Sequence, residues 1–111
     1  VAVWNINIHK GATYQVTLTI DGVADIGAAT EWRLTCAQPN GTVFLTASSI
    51  GASPMFVATA LAKTKILAIP SATTLTLPQG NGRYDFEVHW TGGVVRRYIA
   101  NGSVQVTSEV G

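Results

Sequence analysis

The sequence predicts an all-β fold: a compact antiparallel β-sandwich of about eight or nine short strands. Three observations predict it. Apolar and polar residues alternate in several stretches, the period-two signature of half-buried strands. Turn residues, chiefly glycine, punctuate those stretches at short intervals. No segment carries the apolar spacing of a long helix.

The elements follow in order along the chain. Residues 3–8 (VWNINI) set Trp4, Ile6 and Ile8 against Asn5 and Asn7. After HKGA, residues 13–20 (TYQVTLTI) put Tyr14, Val16, Leu18 and Ile20 on one face and Thr13, Gln15, Thr17 and Thr19 on the other. That division is too clean for a helix. DGVADIGAAT is a connection, and EWRLTCA is a strand facing Trp32, Leu34 and Cys36 inward. The PNG turn at residues 39–41 returns the chain into TVFLTA. SSIGASP is loop-like. Residues 55–60 and 65–69 are expected as strands, the second β-branched and stopped by Pro70. Residues 74–77 form a short edge strand or a turn. One domain is expected over residues 1–111, with a loose tip at residues 108–111.

The final hairpin is the clearest element. A two-residue turn at Gly92-Gly93 pairs Thr91 with Val94, Trp90 with Val95, Glu87 with Tyr98 and Phe86 with Ile99. Paired residues share a face. Tyr84, Phe86, Val88 and Trp90 then line the core with Val95 and Ile99. Asp85, Glu87 and His89 look outward with Arg96 and Tyr98. Arg97 alone fits badly, because it falls opposite Val88 on the apolar face. Three resolutions are open: a rim position where it snorkels, a bulge that resets the alternation, or an acidic group from a partner.

Composition narrows the function classes. Hydrophobic residues make up 47% of the 111 and charged residues only 12%, about half the ~25% usual in globular domains. The polar surface is therefore mainly Thr, Ser, Asn, Gln and Gly, which suits a chain that packs against partners. Seven basic and six acidic residues give a net charge of +1, so no footprint for nucleic acid or an anionic membrane is present. No stretch approaches the ~20 apolar residues of a membrane span, and no basic-then-apolar leader opens the sequence. The expectation is a soluble protein acting without its own export signal.

Chemistry is sparse. His9 and His89 are the only histidines. His89 shares a face with Glu87 and Arg96, a triplet that reads as an exposed cross-strand polar cluster before it reads as an acid–base site. His9 reads as a surface loop residue. The single cysteine, Cys36, excludes an internal disulfide framework and reads as a small buried hydrophobe. Two separated histidines, one cysteine and Asp21/Asp25 lack zinc or calcium spacing. NGRY and TGGV lie in hairpins, so they are not phosphate cradles. Asn40-Gly41-Thr42 and Asn101-Gly102-Ser103 match the glycosylation triplet, which matters only in a glycosylating compartment. Trp4, Trp32, Trp90, Tyr14, Tyr84 and Phe86 raise a sugar-binding platform, but all except Trp4 fall on the inward phase of their strands. No catalytic residue, cofactor site or metal site is expected.

Three blocks carry a resemblance to a known family. They are GATYQVTLTI, ADIGAATEWRLTCAQPNGTVF and LPQGNGRYDFEVHWTGGVVRRYIANGSVQVTSEV. The last has a leucine-proline-glycine approach, a tyrosine-aspartate strand, a glycine hairpin, and a glycine before the final strand. Together the chain resembles small Ig-like β-sandwich domains of tailed-bacteriophage virion proteins, found in baseplate, tail and fibre-attachment components. Its turn at Thr91-Gly92-Gly93 is less acidic than the family's, and residues 48–69 lie outside the likeness. The resemblance implies a non-enzymatic structural subunit of the virion, assembled in the host cytoplasm. Its partners would be other virion proteins in several copies of a symmetric assembly, with no nucleic acid and no membrane. Glu87, Arg97 and Tyr98 are the residues expected at a protein contact. Two alternatives stand beside this one: a capsid-decoration or head-fibre protein, and an adhesin module that binds host glycan.

Overall fold

The computed structural model describes residues 3–23 and 25–108. Of the expected loose tip, residues 109–111 lie outside the described residues. The strands are β1 (Ile6–His9), β2 (Tyr14–Thr19), β3 (Glu31–Ala37), β4 (Val43–Ser48), β5 (Phe56–Ala58), β6 (Thr64–Ile69), β7 (Gly80–Trp90) and β8 (Val94–Thr107). They form a five-stranded sheet, β1-β8-β7-β3-β4, and a three-stranded sheet, β2-β6-β5. One cluster of buried side chains joins the two sheets. The inward residues read from the alternation of β2 and β3 are the ones that pack there: Leu18 and Ile20 from β2 and its end, Trp32, Leu34 and Cys36 from β3.

At the centre stands Phe86, fully buried. Its ring centroid lies 5.7 Å from that of Trp32, 5.9 Å from Phe56 and 6.1 Å from Tyr98. Such tilted and edge-on pairs contribute about 0.5–1.5 kcal/mol each beyond the area they bury. Phe56 comes from the small sheet, so this aromatic group bolts one sheet to the other.

Two expectations need correction, and one open choice is decided. The strand pairing is not wholly antiparallel: β1 runs parallel to the end of β8, with Ile6 opposite Val104 and Ile8 opposite Val106. A parallel neighbour needs a long crossover, and here almost the whole intervening chain supplies it. Of the edge strand or turn expected at residues 74–77, the turn is the one found. The helical turn α1 (Ser71–Thr74) runs into it at Thr74, which is buried beneath the β1–β2 turn. Its hydroxyl accepts from the Gly11 N–H at 3.1 Å and lies 2.8 Å from the Ala12 carbonyl to which it donates.

The second correction concerns the final hairpin. Its loop has three residues, Thr91-Gly92-Gly93, and Trp90 pairs with Val94, Val88 with Arg96 and Glu87 with Arg97. A bulge at Tyr98 then restores Phe86 opposite Ile99. Either loop sets an arginine opposite Val88: Arg97 with two residues in the loop, Arg96 with three. The longer loop turns Arg97 outward to Glu87, and the bulge turns both Tyr98 and Ile99 inward. Val95, expected in the core, is 48% exposed. Arg96 lies on the Trp90 side instead, 5.6 Å from that ring's centroid.

A second irregularity follows at Asn101, where φ is +57°. The Asp85 carboxylate accepts the Asn101 N–H at 2.9 Å and fixes the bend. Next comes Gly102, opposite Tyr84, where a Cβ would overlap the tyrosine ring. The Tyr84 hydroxyl accepts from the Trp4 N–H at 3.3 Å and donates to the Trp4 carbonyl at 2.6 Å. The bend thus makes room for the side chain that ties down the chain ahead of β1.

Candidate functional site

The outward face of the large sheet gathers the polar side chains with the most contacts to one another. Cross-strand register builds the group: Glu31 is opposite His89, Arg33 lies between Glu87 and Ser48, and Arg97 is opposite Glu87. Arg33 grips Glu31 with two nitrogens, at 2.9 and 3.1 Å. The Ser48 hydroxyl donates to the same carboxylate at 2.6 Å. Glu87 faces Arg97 at 3.0 and 3.2 Å and His89 Nε2 at 3.3 Å. Glu31 is almost fully covered, at 7% exposure, by the long side chains around it.

Both carboxyls are pushed the same way. Burial raises Glu31, but hydrogen bonds from Ser48 and Arg33 and the nearby positive charge outweigh it, holding the group below its ordinary 4.5. For Glu87, burial is likewise outweighed by hydrogen bonds from Arg97 and His89. A general acid needs a carboxyl pushed up, and an acid–base pair needs its two members pushed apart. This group instead has the chemistry of an ion-pair network, with each carboxylate matched to an arginine.

A pH dependence follows from those directions. A carboxylate held below its unfolded value binds fewer protons folded than unfolded, so stability rises with pH across that interval. The contribution of Glu31 and Glu87 is fully present above the ordinary 4.5 and is lost as pH falls through their lower folded values. The urea midpoint is expected to be lower at acidic pH, below that ordinary carboxyl value, than at neutral pH. A Glu31→Gln/Glu87→Gln variant should show a smaller decline. An equal decline in the variant would place the acid sensitivity in other groups.

Of the three residues expected at a contact, the structure joins two. Glu87 and Arg97 meet on the outward face, whereas Tyr98 lies on the opposite side, packed against Phe86. Its hydroxyl is buried with no hydrogen-bond partner among the described residues. Arg96, expected beside His89, is on the Trp90 side. His9 stands apart, with Nδ1 2.9 Å from the Thr107 hydroxyl. Burial pushes the Cys36 thiol up to about 12, which withholds the thiolate that a nucleophile requires. Trp4 is partly buried, its ring tilted against Tyr84 and its Nε1–H donated to the Tyr14 hydroxyl at 3.0 Å. Among the described residues, no group of three or more His, Cys, Asp or Glu side chains is placed to hold a metal ion.

Sequence reasoning missed Glu31. The signal was present: Glu31 and Arg33 are two residues apart on a strand, hence on one face and within reach of each other. No family model matches the chain, and no curated protein is significantly similar to it.

Proposed function

We propose that this chain is a non-enzymatic structural subunit of a tailed-phage virion, a tail, baseplate or fibre-attachment adaptor that works through protein–protein contacts. In this reading the two sheets correspond to an Ig-like sandwich. The observation that carries it is how the closing block of the resemblance is used. Gly82 passes so close to the Ala37 carbonyl that a Cβ would overlap it. Tyr84 anchors Trp4, Asp85 holds the Asn101 bend, Phe86 centres the core, and Gly102 clears the Tyr84 ring. These residues spend their side chains, or the lack of one, on building the hairpin.

The surfaces suit contact with neighbours. On the large sheet, Glu31 is matched by Arg33 and Glu87 by Arg97, so a partner would meet neutral pairs. On the small sheet, Thr17, Ile66 and Val57 form an uncharged row across β2, β6 and β5. Covering the ion-pair group or the uncharged row desolvates no isolated charge. Interfaces of roughly 1,200–2,000 Å² would hold such a subunit specifically, and repetition around a ring would strengthen weak single contacts. Glu87 and Arg97 belong to that contact surface, with Tyr98 bracing their strand from beneath.

Quantitative mass spectrometry of purified, dissociated virions tests the reading. The chain is expected at a fixed copy number relative to a tail protein. Its absence from particles, with presence only in the host lysate, would overturn the proposal.

A further inference from the structure

At the β3–β4 end of the large sheet, three adjoining clefts ring the β3–β4 turn, the second of them on the same outward face as the ion-pair group. They measure about 280, 340 and 310 Å³, and Pro39 lines all three. Five of the chain's nine carboxamide side chains line the first two: Gln38, Asn40, Gln79, Asn81 and Asn101. In the first cleft, Phe44, Pro39 and Pro78 add apolar surface beside four of those carboxamides. The second and third contain Arg83; in the second Asp85 offsets it, and in the third Arg83 is the one charged residue of the lining.

We propose that these clefts bind a neutral saccharide chain. A carboxamide presents a donor and an acceptor side by side, which matches the adjacent hydroxyls of a sugar ring. Apolar ring surfaces such as Phe44 and the two prolines suit its C–H face. The first cleft has no charged side chain and the second has one of each sign, so neither prefers phosphate or a cation. Clefts at or near the ~300 Å³ lower end of ligand pockets and placed side by side suit successive sugar units along a chain. They do not suit one enclosed molecule.

The backbone beneath is fixed before any ligand arrives, which reduces the ordering cost of binding. Gln38 and Thr42 close the turn through the Gln38 N–H to the Thr42 carbonyl at 2.8 Å, and the Gly41 N–H reaches the Gln38 carbonyl at 2.8 Å. The Asn40 Oδ1 accepts the Thr42 N–H at 3.0 Å, leaving its NH2 free to donate. On the far side, Asp85 holds Asn101 in its left-handed conformation. The site is independent of the virion reading, since a tail subunit and a cell-surface protein could equally carry it.

Nitrogen-15 NMR of the intact chain tests the proposal. The probes are neutral oligosaccharides of glucose, galactose, mannose and N-acetylglucosamine, each titrated to its solubility limit. At least one is expected to shift the side-chain amide signals of Gln38, Gln79 and Asn81 in a saturable way. The Gln79→Ala/Asn81→Ala variant should keep the unfolding midpoint and weaken that sugar by about tenfold or more. The proposal fails if no sugar in the panel moves these signals. It fails equally if the shifts fall on another surface, or if the double variant binds as the parent does.

Discussion

Phe86→Ala is expected to cost about 3–5 kcal/mol of stability, the range for deleting a buried aromatic ring. Phe86 has no exposed surface, and rings from β3, β5 and β8 lie 5.7–6.1 Å from it. Removing it leaves a cavity where both sheets meet, and neighbours drawn from three separate strands have little freedom to collapse into it. Against a net stability of about 5–15 kcal/mol for a domain of this kind, that loss takes a large share. Urea unfolding of the variant and parent measures it. A cost below about 1 kcal/mol would mean that the ring is not central to the packing.

Gly102→Ala is expected to cost about 3 kcal/mol, the upper end of overpacking penalties. The reason is local and specific. A Cβ at this position would overlap the Tyr84 ring, and that ring is 1% exposed and tethered to both backbone polar groups of Trp4. It has nowhere to move without releasing the chain ahead of β1. A double-mutant cycle isolates the effect. Tyr84→Ala alone should destabilise, but adding Gly102→Ala to that background should then cost little. A full, additive penalty in the double variant would show that the glycine serves something other than the tyrosine.

How much of this was legible in the sequence depends on what each element hides. In β2 and β3 the alternation names the buried side chains directly, because one face of each strand meets the core and the other meets water. For β1 the same alternation gives the correct faces but not the direction of pairing, since Ile6 and Ile8 would point inward against either a parallel or an antiparallel neighbour. The hairpin shows a subtler gap. Two glycines permit either loop length, with φ of +84° and +80° at Gly92 and Gly93, and both registers set an arginine opposite Val88; the three-residue loop adds the pairing of Arg97 with Glu87. The bulge among the three resolutions is the one found. Glu31 was hidden because its burial comes from other polar chains on the outward face, not from the core. The clefts at Pro39 were hidden because their lining comes from three distant parts of the chain.

The central claim, that this domain serves as a virion subunit held by repeated protein contacts, is tested most directly by high-resolution imaging of purified particles, with a parallel deletion of the gene. The account predicts density for the two-sheet domain at symmetry-repeated positions, touching neighbouring proteins and missing from the deletion particles. Density at the tail is the adaptor result, whereas density spread over the capsid would replace that role with decoration. Complete, infectious particles with no density for the chain would contradict the account.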